Sequence, residues 1–114
     1  MLVKLQHVAH VRSGDKGNTS NIGVIAYADE LYPTLKTQLT AELVAARMAP
    51  LSIDSVVRYE VDGLILLNYV IVGALGGGVS RSLAIDCYGK ALSSALLSIP
   101  INVDDELLSF LVGY

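Results

Sequence analysis

The chain has 114 residues, 53% of them hydrophobic, and a formal net charge of −3. That length fits one domain, residues 1–114, with a core that needs no staples. The acidic balance excludes a nucleic-acid binder that works by neutralising phosphates, and a single cysteine, Cys87, excludes an internal disulfide or a metal site built on cysteine pairs.

The longest apolar run, Leu64 to Leu75, is broken by Asn68 and Gly73 and is too short to span a bilayer. Met1 to His7 lacks the charged-then-apolar order of a signal peptide. A cytoplasmic protein with no membrane partner is therefore expected. The mean hydropathy of +0.54 is high for so small a soluble domain. Part of the apolar surface is expected in a subunit interface, and hence a homo-oligomer.

Residues 3 to 11 alternate, with Val3, Leu5, His7, Ala9 and Val11 on one face and Lys4, Gln6, Val8 and His10 on the other. This predicts a half-buried strand. A polar stretch follows, His10-Val11-Arg12-Ser13-Gly14-Asp15-Lys16-Gly17-Asn18-Thr19-Ser20-Asn21, which reads as a loop. Ile22 to Tyr27 reads as a second strand.

Asp29 is placed to cap a helix over about residues 30–48. Pro33 falls in its first turn, where a missing N–H costs little. Leu31, Leu35, Leu39, Leu43 and Ala46 recur at helical spacing, Arg47 sits near the negative end of the dipole, and Pro50 ends the element.

Ser55 to Val61 and Leu64 to Val72 flank Asp62-Gly63, a two-residue hairpin signal that pairs Val61 with Leu64 and Tyr59 with Leu66. Val57, Tyr59, Val61, Leu64, Leu66, Val70 and Val72 then share a face with Asn68, and this face is assigned to the core. The other face holds Arg58, Glu60, Ile65, Leu67, Tyr69 and Ile71, too apolar to be bare, and is assigned to a partner sheet or subunit.

A glycine-rich stretch, Gly73 to Ser82, comes next. Asp86 is placed to cap a second helix with Tyr88, Leu92, Ala95, Leu96 and Ile99 in its stripe and Pro100 at its end. The tail, Asp104 to Leu111, adds a short helical turn or docks on a neighbour. The order β-β-α-β-β-α predicts an α+β sandwich, two helices on one face of an antiparallel sheet. Starting from the second strand, it is a ferredoxin-like arrangement rearranged in chain order.

Two stretches carry the candidate chemistry. Gly76, Gly77 and Gly78 permit backbone N–H groups to converge on an anion, and Ser80 and Arg81 lie beside them, with Arg81 able to add a forked charged contact. A tight crossing beside a packed strand fits the same glycines. In the first stretch, Asp15 and Lys16 fit a turn with Lys16 solvated. They also fit an acid–base pair, Asp15 as general base and Lys16 neutralising developing charge. His10, Arg12, Ser13, Asn18 and Asn21 are candidate ligand contacts around them. Asn68, polar within an apolar face, needs partners and is a further candidate. His7 reads as a hydrogen-bonded core histidine. No third ligand joins the histidines, so no metal site is expected.

The residues from His10 to Ala26 resemble the opening motif of the C-terminal domain of the acyclic terpene utilisation AtuA family. Asn68 to Leu83, with Asp86 and Gly89-Lys90-Ala91-Leu92, resembles that domain's second block. The resemblance covers almost the whole chain and implies a ferredoxin-like fold. It also implies a stand-alone form of a domain that larger members carry behind a bigger N-terminal one, working beside a separate large AtuA-type subunit. The family name points to catabolism of branched, isoprenoid-like acids through acyl-CoA thioesters, with no cofactor beyond a CoA thioester as substrate. Ser13, Gly14, Asp15, Lys16, Gly17, Asn18, Asn21, Asn68, Gly76, Gly77, Gly78, Ser80 and Arg81 fall on the motif positions.

Three functions remain open on the sequence. The first is an accessory subunit that binds a small anionic ligand where the two stretches meet. The second is a self-sufficient lyase, hydratase or hydrolase using Asp15 and Lys16. The third is an oligomerisation module packing its Ile65, Leu67, Tyr69 and Ile71 face across an interface.

Overall fold

A computed structural model describes residues 1–16, 19–48, 55–72 and 96–113. The strands are β1 (Leu2–Lys4), β2 (Ala9–Lys16), β3 (Thr19–Ala26), β4 (Ser55–Val61), β5 (Leu66–Val72) and β6 (Pro100–Asn102), and the helices are α1 (Tyr32–Gln38) and α2 (Ala41–Met48). Four strands form an antiparallel sheet in the order β2-β3-β5-β4, and β1 pairs with β6 in a separate antiparallel ribbon. The architecture is the expected α+β type.

The first expected strand is split. Leu5–His7 forms a 3-10 turn between β1 and β2, with the Val8 amide donating to the Leu5 carbonyl at 2.8 Å. That turn shifts the alternation, so Val8 is buried beside Val3, Leu5 and Ala9 instead of facing away from them. His7 is only half-buried; its Nδ1–H donates to the Val112 carbonyl at 3.0 Å, and the Val112 amide donates to the His7 carbonyl at 2.9 Å. Together these bonds dock the C-terminal segment, whose 3-10 helix Asp105–Phe110 packs Leu107, Leu108 and Phe110 against the core.

The polar stretch is not a loop but the two arms of a hairpin. Ser13 pairs with Ile22, Gly14 with Asn21, Asp15 with Ser20 and Lys16 with Thr19. The ladder is made by the backbone, and β2 is an edge strand among the described residues; Arg12, Ser13 and Gly14 stay exposed while Ile22 and Val24 on β3 are fully buried.

The expected single helix is two. Asp29 opens a 3-10 turn, Asp29–Leu31, whose cap is Ala28, and no side chain caps it. Helix α1 then ends at Leu39, whose φ of −91° and ψ of 66° leave the helical region. The Thr40 hydroxyl accepts the Leu43 amide at 3.1 Å, and the Val44 amide donates to the Thr40 carbonyl at 3.1 Å, which makes Thr40 the N-cap of α2. The break turns the stripe: Leu31, Leu35, Leu39 and Val44 are fully buried, whereas Ala46 is exposed.

The β4–β5 hairpin pairs Val61 with Leu66 and Tyr59 with Asn68, two residues off the expected register. Its connection is a 3-10 turn, Asp62–Leu64, closed by Ile65 in the left-handed region at φ 46°. The cause is Asp62. Its carboxylate accepts the Tyr32 hydroxyl at 2.8 Å and the Lys36 ammonium at 3.2 Å, so helix α1 holds the turn open.

A shift of two keeps the two faces intact, yet their assignment is reversed. Leu67, Tyr69 and Ile71 are fully buried under the chain's own helices, while Val57 and Tyr59 are 46% and 54% exposed. Arg58 causes the inversion. Its Nη1 donates to the carbonyls of Lys36 at 2.8 Å and Leu39 at 3.2 Å, and Nη2 meets Glu60 at 2.8 Å. Its guanidinium thereby closes the end of α1 from the covered face of the sheet. The Leu67, Tyr69 and Ile71 face is therefore not free to pack across an interface.

Most of the expected second helix, including Asp86, Tyr88, Leu92 and Ala95, lies outside the described residues. At its end Leu96 and Ile99 are fully buried, and Pro100 begins β6.

Candidate functional site

Side chains alternate across a strand and align between paired strands, so the registers define what shares the open face of the sheet, the one that no helix covers among the described residues. One row is Arg12, Gly23, Asn68 and Tyr59. The row before it is His10, Ile25, Leu66 and Val61, and the row after it is Gly14, Asn21, Val70 and Val57. The last row is Lys16, Thr19, Val72 and Ser55.

No aspartate or glutamate stands in any of these rows, although the chain as a whole is acidic. The strand carboxylates, Asp15 and Glu60, occupy positions of the opposite face. The face thus combines Arg12 and His10 with the amides Asn21 and Asn68, and Lys16 holds a register position of it. Ile25, Leu66 and Val70 run beside them, half-buried.

Gly23 lies between Arg12 and Asn68, which are about 10 Å apart at two strand spacings. The absence of a side chain at Gly23 makes room for that of Leu66. A Cβ there would meet Leu66 Cδ1 at 3.2 Å. His10 borders the other end of the face, its ring 5.8 Å from that of Tyr27 at 48°.

Of the sequence-predicted residues, the structure brings His10, Arg12, Asn21 and Asn68 to one face, with Lys16 at a register position of that face. Ser13 and Asp15 occupy the other, so Asp15 and Lys16 stand on opposite faces of β2. Asn18, Gly76, Gly77, Gly78, Ser80 and Arg81 lie outside the described residues. Tyr59, the neighbour of Asn68, was not selected from the sequence, where the tyrosines form no platform. Its signal was present in the shared alternation with Asn68, but that face was assigned to the core.

A separate shallow groove of about 300 Å³ is lined by Pro33, Thr34, Thr37, Gln38, Asn102 and Asp104. Its main polar groups already serve each other: Gln38 donates to the Asn102 carbonyl at 2.7 Å and accepts the Asn102 amide at 2.8 Å. None of the sequence-predicted residues lines it. Among the described residues, no cluster of three or more His, Cys, Asp or Glu is placed to hold a metal, and no helix is long and apolar enough to cross a membrane.

Among known families, the model of the AtuA ferredoxin-like domain matches residues 3–102. No curated protein and no solved structure matches the chain.

Proposed function

This chain belongs to the AtuA ferredoxin-like domain family, and on that premise we propose that it is an accessory domain of an acyl-CoA-processing system. It binds an anionic group, a CoA phosphate or a carboxylate, on the open face of its sheet and works beside a separate large AtuA-type subunit. The observation that carries this reading is the register of the sheet: the exposed Arg12, with Lys16 at a register position of the same face, His10 and the amides Asn21 and Asn68 beside them, and no carboxylate at any register position of that face in an acidic chain.

The chemistry suits such a ligand. The exposed Arg12 guanidinium offers a forked, permanently charged contact to phosphate or carboxylate. Asn21 and Asn68 add neutral donors that orient an oxygen without repelling a second charge. Ile25, Leu66 and Val70 supply apolar surface alongside, which an acyl-CoA with its mixed character needs. The glycine-rich stretch follows Val72, and Val72 stands in the row of Thr19 and Lys16. That continuity supports joining the two motifs in one site.

Titration of an acyl-CoA into the chain, alone and with the large subunit, tests the proposal. Saturable binding is expected, weakened at least about tenfold by Arg12→Ala, the loss of one charge-assisted contact. Absence of binding in both preparations overturns it.

A further inference from the structure

The two edges of the sheet differ. Strand β2 is broken up by Arg12, Gly14, Asp15 and Lys16, residues that discourage pairing with another strand. Strand β4 carries charge only at Arg58 and Glu60, which already pair with each other at 2.8 Å. It runs Ser55-Val56-Val57-Arg58-Tyr59-Glu60-Val61 without Pro, Gly or Lys, and its pairing to β5 is continuous, with no bulge. Its outer edge has no strand partner among the described residues, and Val57 and Tyr59 are 46% and 54% exposed beside it.

We propose that β4 pairs antiparallel with β4 of a second copy of this chain, with Tyr59 on the two-fold axis, joining two four-stranded sheets into one. The sequence of β4 selects that register. Continuing the sheet with its faces matched requires odd positions to oppose odd positions. Centring on residue 58 sets arginine against arginine, and centring on 60 sets glutamate against glutamate; both are repulsive. Centring on 61 sets Glu60 against Asp62, and centring on 57 sets Arg58 against Val56 and pairs only residues 55–59 of the strand.

Centring on Tyr59 sets Arg58 against the second copy's Glu60 and Glu60 against its Arg58, while Val57 opposes Val61 and the two Tyr59 rings meet. Arg58 and Glu60 are already oriented together, 2.8 Å apart, with side chains 19% and 41% exposed. Pairing across the axis would extend this ion pair into a four-member network. A two-fold contact of this kind is isologous and closes as a dimer, which leaves no free β4 edge for further growth.

Sedimentation equilibrium of the whole chain and directed cross-linking test this together. The wild-type chain is expected to sediment at twice 12.1 kDa at about 100 μM. Tyr59→Lys, at an exposed position, sets two ammonium groups opposite each other and should raise the dimer dissociation constant at least about tenfold. In a Cys87→Ser background, Tyr59→Cys should oxidise to a covalent dimer, since directly opposed residues have Cα atoms about 4.5–5.5 Å apart. Val57→Cys should not, because its equivalent lies about four residues away along the strand, roughly 13 Å. A wild-type monomer at that concentration, a dimer that survives Tyr59→Lys, or cross-linking through residue 57 in preference to 59 would each overturn the proposal.

Discussion

The buried hydroxyl of Tyr69 donates to the carbonyl of Leu39 at 2.6 Å, across the space between the central strand β5 and the end of helix α1. Arg58 shares that carbonyl at 3.2 Å and takes the Lys36 carbonyl at 2.8 Å. Two side chains of the sheet thus satisfy carbonyls that the helix leaves open at its break. Tyr69→Phe removes one donor but leaves Leu39 with Arg58, so a loss of about 1 kcal/mol is expected in urea unfolding. Arg58→Ala strips the Lys36 carbonyl and the Glu60 partner at once and should cost more, about 2–3 kcal/mol.

The same tyrosine makes stability sensitive to alkali. Burial pushes the Tyr69 hydroxyl well above its ordinary value, and burial followed by the bond to Asp62 raises Tyr32. A group raised in the folded state contributes in full below its unfolded value and loses that contribution as the pH climbs towards the folded one. Stability should therefore fall above about pH 10, and Tyr69→Phe should flatten that decline. The check is the unfolding midpoint in urea measured at several pH values on the alkaline side; an unchanged slope in the variant would contradict the assignment.

Asp62 acts at the opposite end of the pH scale. The Tyr32 hydroxyl and then the Lys36 ammonium hold its carboxyl below the usual carboxylate value. Its contribution is complete above the unfolded value and disappears as the pH falls through the folded one, below about pH 4. Asp62→Asn should narrow the difference in thermal midpoint between neutral and acidic solution. It should also loosen the hairpin connection, visible as faster amide exchange at Ile65, whose N–H donates to the Asp62 carbonyl at 3.1 Å.

Thr40 carries the start of α2. Thr40→Ala removes the acceptor of the Leu43 amide and should cost about 1 kcal/mol, with Thr40→Ser restoring most of it. Equal stability of the alanine and serine variants in thermal unfolding would show that the cap is idle.

These residues also mark how far the sequence could be read. Leu31, Leu35 and Leu39 announce a helical stripe because burial imposes its period on the chain. Thr40 hides the break, since a capping hydroxyl inside an apolar stripe looks like an ordinary polar position. Asp62-Gly63 announces a turn, but its length depends on Tyr32 and Lys36, which are distant in the chain. Alternation correctly grouped Asn68 with Tyr59 and Val57. It could not say which face was covered, because that was decided by where Arg58 finds its carbonyl partners. The polar run from His10 to Asn21 was visible as a candidate site, whereas its strand conformation was not: the backbone ladder to β3 needs no apolar side chains on the edge strand.

The central claim is that an anionic group sits on the sheet face that carries Arg12 and Asn68. Backbone amide shift mapping during titration of an acyl-CoA into the chain with its large subunit tests it most directly. The expected result is a set of saturable shifts at Arg12, Asn21, Gly23 and Asn68 whose midpoint Arg12→Ala moves to a concentration at least about tenfold higher. Shifts confined to the groove at Gln38 and Asn102, or saturation without change along β2, β3 and β5, would contradict it.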